Sequence, residues 1–484
     1  MIEIKTLGAL RASGYQSKSI KDELRDNLIS KLRNADSRFE GILGFENSVL
    51  PDMERAILSR HSILLLGLRG QAKTKIARQM ITLLDEYIPV IEGSEINDDP
   101  LHPISAYGIK RIAELKEETP ISWLHRSQRY VEKLATPDVS VSDLIGDIDP
   151  VKAATQKLSF SNEEVIHFGL IPRAHRCIFV INELPDLQAR IQVSLFNMLQ
   201  EGDIQIRGFK MRLPLDVSFV FTANPEDYTN RGSIITPLKD RIESQILTHY
   251  PSDIAIAKAI TLQEARLTKE QREKITIAPV HHEILERMVI KARQSEFVDG
   301  KSGVSARVAI SGYENLVSAV ERRMLIHGEA QGVSRIADFH GVLPSLTGKI
   351  ELVYEGEQEG PVNVAWKLMN EAIKDVFLET FPNPEARKRD KDIYGVIKAY
   401  FGAGNHLQLM NDASSESFQK SLNEVAGLQK LVATQIENTE DTQVYMELML
   451  HGLAETQVIG KSQSNAQTDF SDPLSRLLNF DDED

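Results

Sequence analysis

The stretch that decides the fold is SILLLGLRGQAKTKIARQM, residues 62–80. Four apolar residues, Ile63 to Leu66, run into a turn that holds Gly67, Gly70 and Ala72. Lys73 and Thr74 follow and open a segment whose apolar positions, Ile76, Ala77 and Met80, keep helical spacing. The pattern is G-x-x-x-x-G-K-[ST] between a strand and a helix, with Ala72 in the place of the last glycine. Small residues let successive backbone N–H groups turn inward, and the helix start adds the positive end of a dipole, so the turn suits a phosphate tail. The candidate cradle is Gly67, Leu68, Arg69, Gly70, Gln71, Ala72, Lys73 and Thr74. In it Lys73 would reach the β- and γ-phosphates of ATP, and the Thr74 hydroxyl would ligate Mg²⁺. The bland alternative is a glycine-bearing turn with an accidental Lys-Thr.

Outward from this loop, short apolar runs alternate with helical stretches: EYIPVIEG (86–93), RCIFVIN (176–182) and DVSFVFTAN (216–224). Runs of this kind suit strands buried on both faces of a parallel sheet, which makes residues 46–250 an α/β region. Residues 1–45 read as a polar helical segment with an apolar stripe at Ile20, Leu24, Leu28 and Leu32. After Pro251 the strand texture stops, and 251–335 reads as helical. Residues 336–460 form a mainly helical C-terminal region. It opens on a Gly/Pro-bearing boundary with a short strand, KIELVYE, and is expected to contain long helices near 415–436 and 440–457. Residues 461–484 read as a mobile tail that ends in four acids.

Composition narrows the function. At 484 residues the chain is long enough for about three domains. Its net charge of −14 argues against a protein that coats nucleic acid or an anionic membrane by bulk electrostatics. Its single cysteine, Cys177, excludes an intrachain disulfide framework and a multi-thiolate zinc site. Cys177 itself reads as a small core residue. No signal-peptide core and no 18-residue apolar run is present, so the expectation is a cytoplasmic protein with no membrane insertion.

Further polar residues stand at strand ends. CIFVINELPDL (177–187) ends a strand in Asn182 and Glu183, where an acidic pair would hold Mg²⁺ and polarise a water. Asn182 keeps an oxygen and loses the charge, so metal affinity should fall, and an Asp there should raise Mg²⁺-dependent turnover. Glu183 can still act as general base. Asn224 ends VSFVFTAN and could orient the water, although Asn224-Pro225 alone reads as a turn opener. Arg241, in ITPLKDRIESQI, could reach a neighbouring subunit's γ-phosphate or be merely solvated. Arg307, in GVSARVAISGYENL, could approach the nucleotide or be an ordinary exposed charge. His281-His282-Glu283 lacks metal-protease spacing and reads as a solvated helix face. The run EARKRDKD (385–392) interleaves acids with its bases and reads as a charged linker rather than a nucleic-acid patch.

The order of these pieces resembles an AAA+ ATPase: phosphate loop, acidic strand end, Asn strand end, Arg, then Arg on a trailing helical part. The loop G-x-x-G-x-A-K-T looks like that of the MoxR family. GLIPRAHRCIFVINELPDLQARIQVSLFNMLQEGDIQIRG is similar to magnesium chelatase ATPase subunits of the same clade. The likeness covers roughly residues 45–335. It implies a P-loop AAA+ core with a parallel sheet, an all-α lid over 251–335 and the mainly helical C-terminal region. By that likeness Lys73 and Thr74 bind nucleotide, and Asn182 and Glu183 take the metal and water-activating places. Asn224 becomes the first sensor, Arg241 the arginine finger and Arg307 the second sensor. LQEGDIQIRGFKMRLPLDVS corresponds to the family's β-hairpin insertion, and the alternation of Ile204 and Ile206 before Arg207-Gly208 fits a hairpin by itself.

A finger acting in trans implies a ring, a hexamer in this family, and the likeness implies a separate partner chain with a von Willebrand factor A domain. The leading expectation is therefore a Mg²⁺-dependent ATPase that remodels or activates such a partner. Rival readings are the ATPase subunit of a metal chelatase and a nucleotide-binding scaffold with little turnover. An enhancer-binding transcription activator is disfavoured, because neither a GAFTGA-like loop nor a basic helix-turn-helix is present.

Overall fold

The computed structural model describes residues 3–149, 151–152, 155, 165–206, 212–225, 232–300, 303–385, 392–436, 442–464 and 466–473. They form two compact units, Met1–Tyr250 and Pro251–Asp484.

In the first unit the all-apolar runs become the middle of a five-stranded sheet. Its strands are β1 (Ile63–Leu66), β2 (Tyr130–Leu134), β3 (Cys177–Asn182), β4 (Val217–Ala223) and β5 (Ser244–Leu247). The order across the sheet is β5-β1-β4-β3-β2, and every pair is parallel. Every residue of β1, β3 and β4 is buried, as expected of a parallel sheet covered on both faces. Alternate side chains divide between two cores. Leu64, Phe179, Ile181, Phe219 and Phe221 pack with Ile191, Leu195 and Leu238 on one face. Ile63, Leu65, Ile178, Val180 and Val220 pack with Leu24, Leu28, Met53 and Ile76 on the other. The result is an α/β core built on a five-stranded parallel sheet, with the glycine-bearing loop leaving its inner strand β1.

Two strands of this sheet escape a reading of apolar runs. β2 and β5 are edge strands, half-exposed along most of their length, so their sequences, YVEKL and SQIL, lack a continuous apolar run. Conversely, EYIPVIEG does not join the parallel sheet. Tyr87–Ile91 pairs antiparallel with Ile121–His125 in a separate ribbon, with Pro89 opposite Trp123. Proline offers no N–H to a ladder, so a central strand would carry an unmet acceptor there.

The N-terminal 45 residues are built into the first unit rather than set apart. Helix α1 (Ile20–Asn34) buries Ile20, Leu24 and Leu28. From the same face Glu23 enters the core and takes two hydrogen bonds from Arg129, at 2.7 and 2.6 Å. Both side chains are nearly fully buried. Arg129 Nε also donates to the Arg176 carbonyl, and the Ile20 amide donates to Asp216 at 2.7 Å. In the predicted hairpin, Asp203–Gln205 pairs antiparallel with Arg212–Pro214; its Arg207-Gly208 turn lies outside the described residues.

The second unit is helical except for short strands. Helices Pro279–Gln294, Ala306–His327, Pro361–Thr380 and Thr442–Glu455 contribute to one core. The span read as one helix over 415–436 is two, Ser415–Glu424 and Leu428–Gln435. Gly427 separates them at φ +79°, and a Cβ there would meet Val396 at 2.7 Å. KIELVYE forms no strand, only a bridge from Leu352 to Val298 before the helix Tyr354–Glu359. The stretch expected to be a mobile tail is partly ordered. Gly460–Gln463 and Gln467–Ser471 join Leu407–Met410 in an antiparallel sheet, with Phe470 fully buried. Burial alternates along this strand at Thr468 and Phe470, a pattern the polar residues around them hide. The four terminal acids lie outside the described residues, as does 386–391 of the charged run.

His281 and His282 are also corrected, because both are buried rather than solvated. His281 Nδ1 pairs with Ser334 Oγ at 2.8 Å, and its ring packs edge-on against Phe339. Burial pulls its pKa down to about 3, so it is a neutral core side chain. Cys177 is buried on β3, and desolvation pushes its thiol up to about 12, which leaves it unreactive.

The Glu23–Arg129 pair generates a test. Glu23→Ala strands a guanidinium inside the core, and breaking such a buried pair costs about 3–5 kcal/mol. Urea unfolding of the full chain should show the first unit destabilised by about that amount, whereas an exposed control on the same helix, Ser30→Ala, should leave it within about 0.5 kcal/mol.

Candidate functional site

The phosphate-type loop leaves β1 at Gly67 and is fixed from both neighbouring strands. The Gly67 amide donates to the Ala223 carbonyl of β4 at 3.1 Å, and the Thr248 amide, just past β5, donates to the Leu66 carbonyl at 2.7 Å. Thr248 then closes over the loop. Its hydroxyl donates to Gln71 Oε1 at 2.7 Å, and a Cβ on Gly67 would stand 1.9 Å from Thr248 Oγ1. Only glycine fits there. Tyr250 adds a hydrogen bond from its hydroxyl to the Arg69 carbonyl at 2.9 Å.

Ala72 takes the left-handed conformation at φ +54°, ψ 13° and starts helix α2 (Lys73–Gln79). A left-handed L-residue costs roughly 1–2 kcal/mol, which is why glycine is the usual choice there. The buried Lys73 side chain folds over its own loop. Its ammonium donates to the carbonyls of Gly67 and Leu68, at 2.5 and 2.9 Å.

The structure brings the strand-end residues to this loop. Thr74 Oγ1 donates to Asn182 Oδ1 at 3.5 Å, and Thr222 Oγ1 donates to the same oxygen at 3.1 Å. The Thr222 hydroxyl also accepts from the Glu183 amide at 3.2 Å. Glu183 itself is held at φ +54°, ψ 53°, a strained backbone of the kind that clusters at functional sites. Asn224 is buried directly after β4, whose Ala223 pairs with Leu66; it therefore stands beside the first loop residue.

The two arginines sit differently. Arg241, at the end of helix Thr236–Arg241, donates to Gln200 Oε1 at 3.2 Å and to the Pro237 carbonyl at 2.7 Å, and its guanidinium lies 4.8 Å above the Phe196 ring. It is thus docked on helix Phe196–Gln200. Arg307 is exposed in the first turn of Ala306–His327, in the second unit.

Sequence reasoning missed Thr248, Tyr250, Thr222 and Glu132. Glu132, on β2, accepts a hydrogen bond from Asn182 Nδ2 at 2.6 Å. No motif announces these residues, because strand register rather than spacing delivers them.

The donor set suits magnesium. Among the described residues no three His, Cys, Asp or Glu side chains gather as a metal cluster. The Thr74 hydroxyl, the Asn182 amide oxygen and a nearby carboxylate are hard oxygen groups. Mg²⁺ commonly takes one or two such ligands together with phosphate oxygens and water.

The parallel sheet, the glycine turn at the end of β1 and the polar groups gathered on it make an α/β core with a phosphate-loop type of turn. A family model described as the sigma-54 interaction domain matches residues 154–246, well under half of the chain. That stretch carries Asn182, Glu183, Asn224 and Arg241 but no GAFTGA-like sequence. Among solved structures, NtrX from Brucella abortus is similar at 14% identity over 60% of this chain, with a TM-score of 0.33. The alignment spans 55% of the NtrX chain. A complex of subunits BchI and BchD of magnesium chelatase aligns at 18% identity over 66% of this chain and 98% of that one, with a TM-score of 0.35. Hsp104 with ATPγS and FITC casein aligns at 13% identity over 72% of this chain and 55% of that one, with a TM-score of 0.39. At such TM-scores these likenesses carry no argument about activity.

Thr248 gives the site its own test. Thr248→Val keeps the shape and removes the donor to buried Gln71, and an orphaned buried polar group costs about 1–3 kcal/mol. The variant should melt earlier and bind ATP more weakly, as read by thermal unfolding and titration with a fluorescent ATP analogue.

Proposed function

We propose that this protein hydrolyses ATP at the Gly67–Thr74 loop and uses the cycle to remodel or activate a partner protein. The observation that carries the reading is the convergence of Lys73, Thr74, Asn182 and the Glu183 backbone on one turn, through Thr222 and the loop carbonyls.

In this reading Lys73 exchanges its carbonyl partners for the β- and γ-phosphates, and the backbone N–H groups of residues 68–74 hold the tail. Thr74 and Asn182 would hold Mg²⁺, which would supply charge neutralisation at the phosphate oxygens. Glu183 takes a proton from the attacking water, and Asn224 orients that water. Arg241, presented from a helix surface, completes the site of an adjacent subunit in a ring. A hexamer of the MoxR and chelatase type, with a separate von Willebrand factor A partner, extends the resemblance of the loop and of residues 169–208. One observation favours a second reading, a nucleotide-binding scaffold with little turnover: the strand end carries the neutral Asn182.

Steady-state ATPase measurement decides between them. Lys73→Ala and Glu183→Gln should each bring turnover to background. Arg241→Ala should lower it by about 10³–10⁵-fold in the assembled ring if the finger acts as measured fingers do. Wild-type turnover at background would sink the enzyme reading, and undiminished turnover in Arg241→Ala would sink the trans-acting finger.

A further inference from the structure

Asn182 is gripped from two sides. Its Oδ1 accepts from Thr222 at 3.1 Å and from Thr74 at 3.5 Å, while its Nδ2 donates to Glu132 Oε1 at 2.6 Å. Glu132 lies on the neighbouring strand, where β2 pairs in parallel with β3 and sets Glu132 against Val180 and Leu134 against Asn182. Its own carboxylate is anchored. Arg78, one turn beyond Thr74 on α2, donates to it through Nε at 3.0 Å and Nη2 at 3.2 Å, and the Tyr130 hydroxyl donates at 3.3 Å. The Glu132 side chain is 23% exposed and Arg78 is 61% exposed, so water reaches this anchor from the arginine side while the Asn182 side is covered.

A carboxylate only accepts hydrogen bonds, so it can take a carboxamide only by its nitrogen. With the nitrogen committed to Glu132, the amide oxygen must face Thr74. We propose that Glu132 is a positioning residue for the magnesium site. It fixes the flip of Asn182 so that oxygen rather than nitrogen meets the metal, and it keeps a negative charge one hydrogen bond behind a neutral ligand. The inference rests on the ATP-binding reading above.

The proposal reverses an expectation from the sequence. An Asp at position 182 would place two carboxylates at hydrogen-bond distance. Like charges so close repel and force the pair apart, which breaks the bond that sets the orientation of residue 182. Asn182→Asp alone therefore brings no gain. In the double variant Glu132→Gln/Asn182→Asp, the Gln nitrogen donates to the new carboxylate and the same bond returns with its polarity inverted.

The test titrates a fluorescent ATP analogue into the full-length wild type, E132Q, N182D and the double variant, once with Mg²⁺ and once with EDTA. E132Q should lose about tenfold or more of the magnesium-dependent affinity, the range seen when partners of metal ligands are removed. Its affinity in EDTA should be unchanged, and the double variant should recover the wild-type magnesium dependence. Wild-type magnesium dependence in E132Q, tighter Mg²⁺-dependent binding in N182D alone, or a double variant no better than E132Q would each overturn the proposal. The E132Q comparison with the double variant decides even if N182D fails to fold. A wild type that binds no analogue in either condition overturns the ATP-binding reading itself.

Discussion

The first unit depends on one steric constraint: β1 must leave the sheet at a point where no side chain fits. Thr248 crosses over Gly67, and Ala223 holds its amide from the other side. The loop is thereby clamped between β4 and β5 before any ligand group is considered. This clamp sets the path of the backbone into Ala72, and the left-handed turn at Ala72 sets where α2 begins. Lys73 and Thr74 face inward because the helix starts there. A central strand flanked on both sides by parallel partners is what makes such a clamp available, so the sheet order and the site are one arrangement.

Where sequence and structure agree, the reason is burial on both faces. β1, β3 and β4 are apolar apart from Asn182, Ser218 and Thr222 because every residue on them is buried, and that left an unambiguous trace. β2 and β5 left none, being edges with mixed faces. Tyr87–Ile91 carried a warning in Pro89 that its apolar neighbours outweighed. Lys73, Thr74, Asn182, Glu183 and Asn224 were legible because strand ends and loop positions have fixed spacing. Thr248, Tyr250 and Glu132 were not, since they reach the loop from strands far away in the chain. The buried histidines show the converse limit. A polar pair on a helix reads as surface until Ser334 and Phe339 are seen around it.

The polar groups near the loop form a graded set. Thr222 sits at its centre, donating to Asn182 and accepting from the Glu183 amide. That single hydroxyl ties the neutral strand end to the strained residue after it. Glu183 could relax its backbone only by giving up this contact, so the position of the acid is held by packing beneath it rather than by its own side chain. Such over-determination is what allows an unfavourable backbone conformation to persist.

The burial of Glu23 bears on how the chain is made. Its partner Arg129 follows 106 residues later, and the Asp216 that takes the Ile20 amide follows 196 residues later. At translation rates of about 5–20 residues per second, α1 would leave the ribosome on the order of ten seconds or more before that second anchor. For part of that interval the Glu23 carboxylate lacks its guanidinium, whereas the apolar stripe has Val49 and Met53, soon after it in the chain, to pack with. The stripe on α1 can therefore pack before the buried ion pair beside it closes, and the Ile20 amide meets its partner later still.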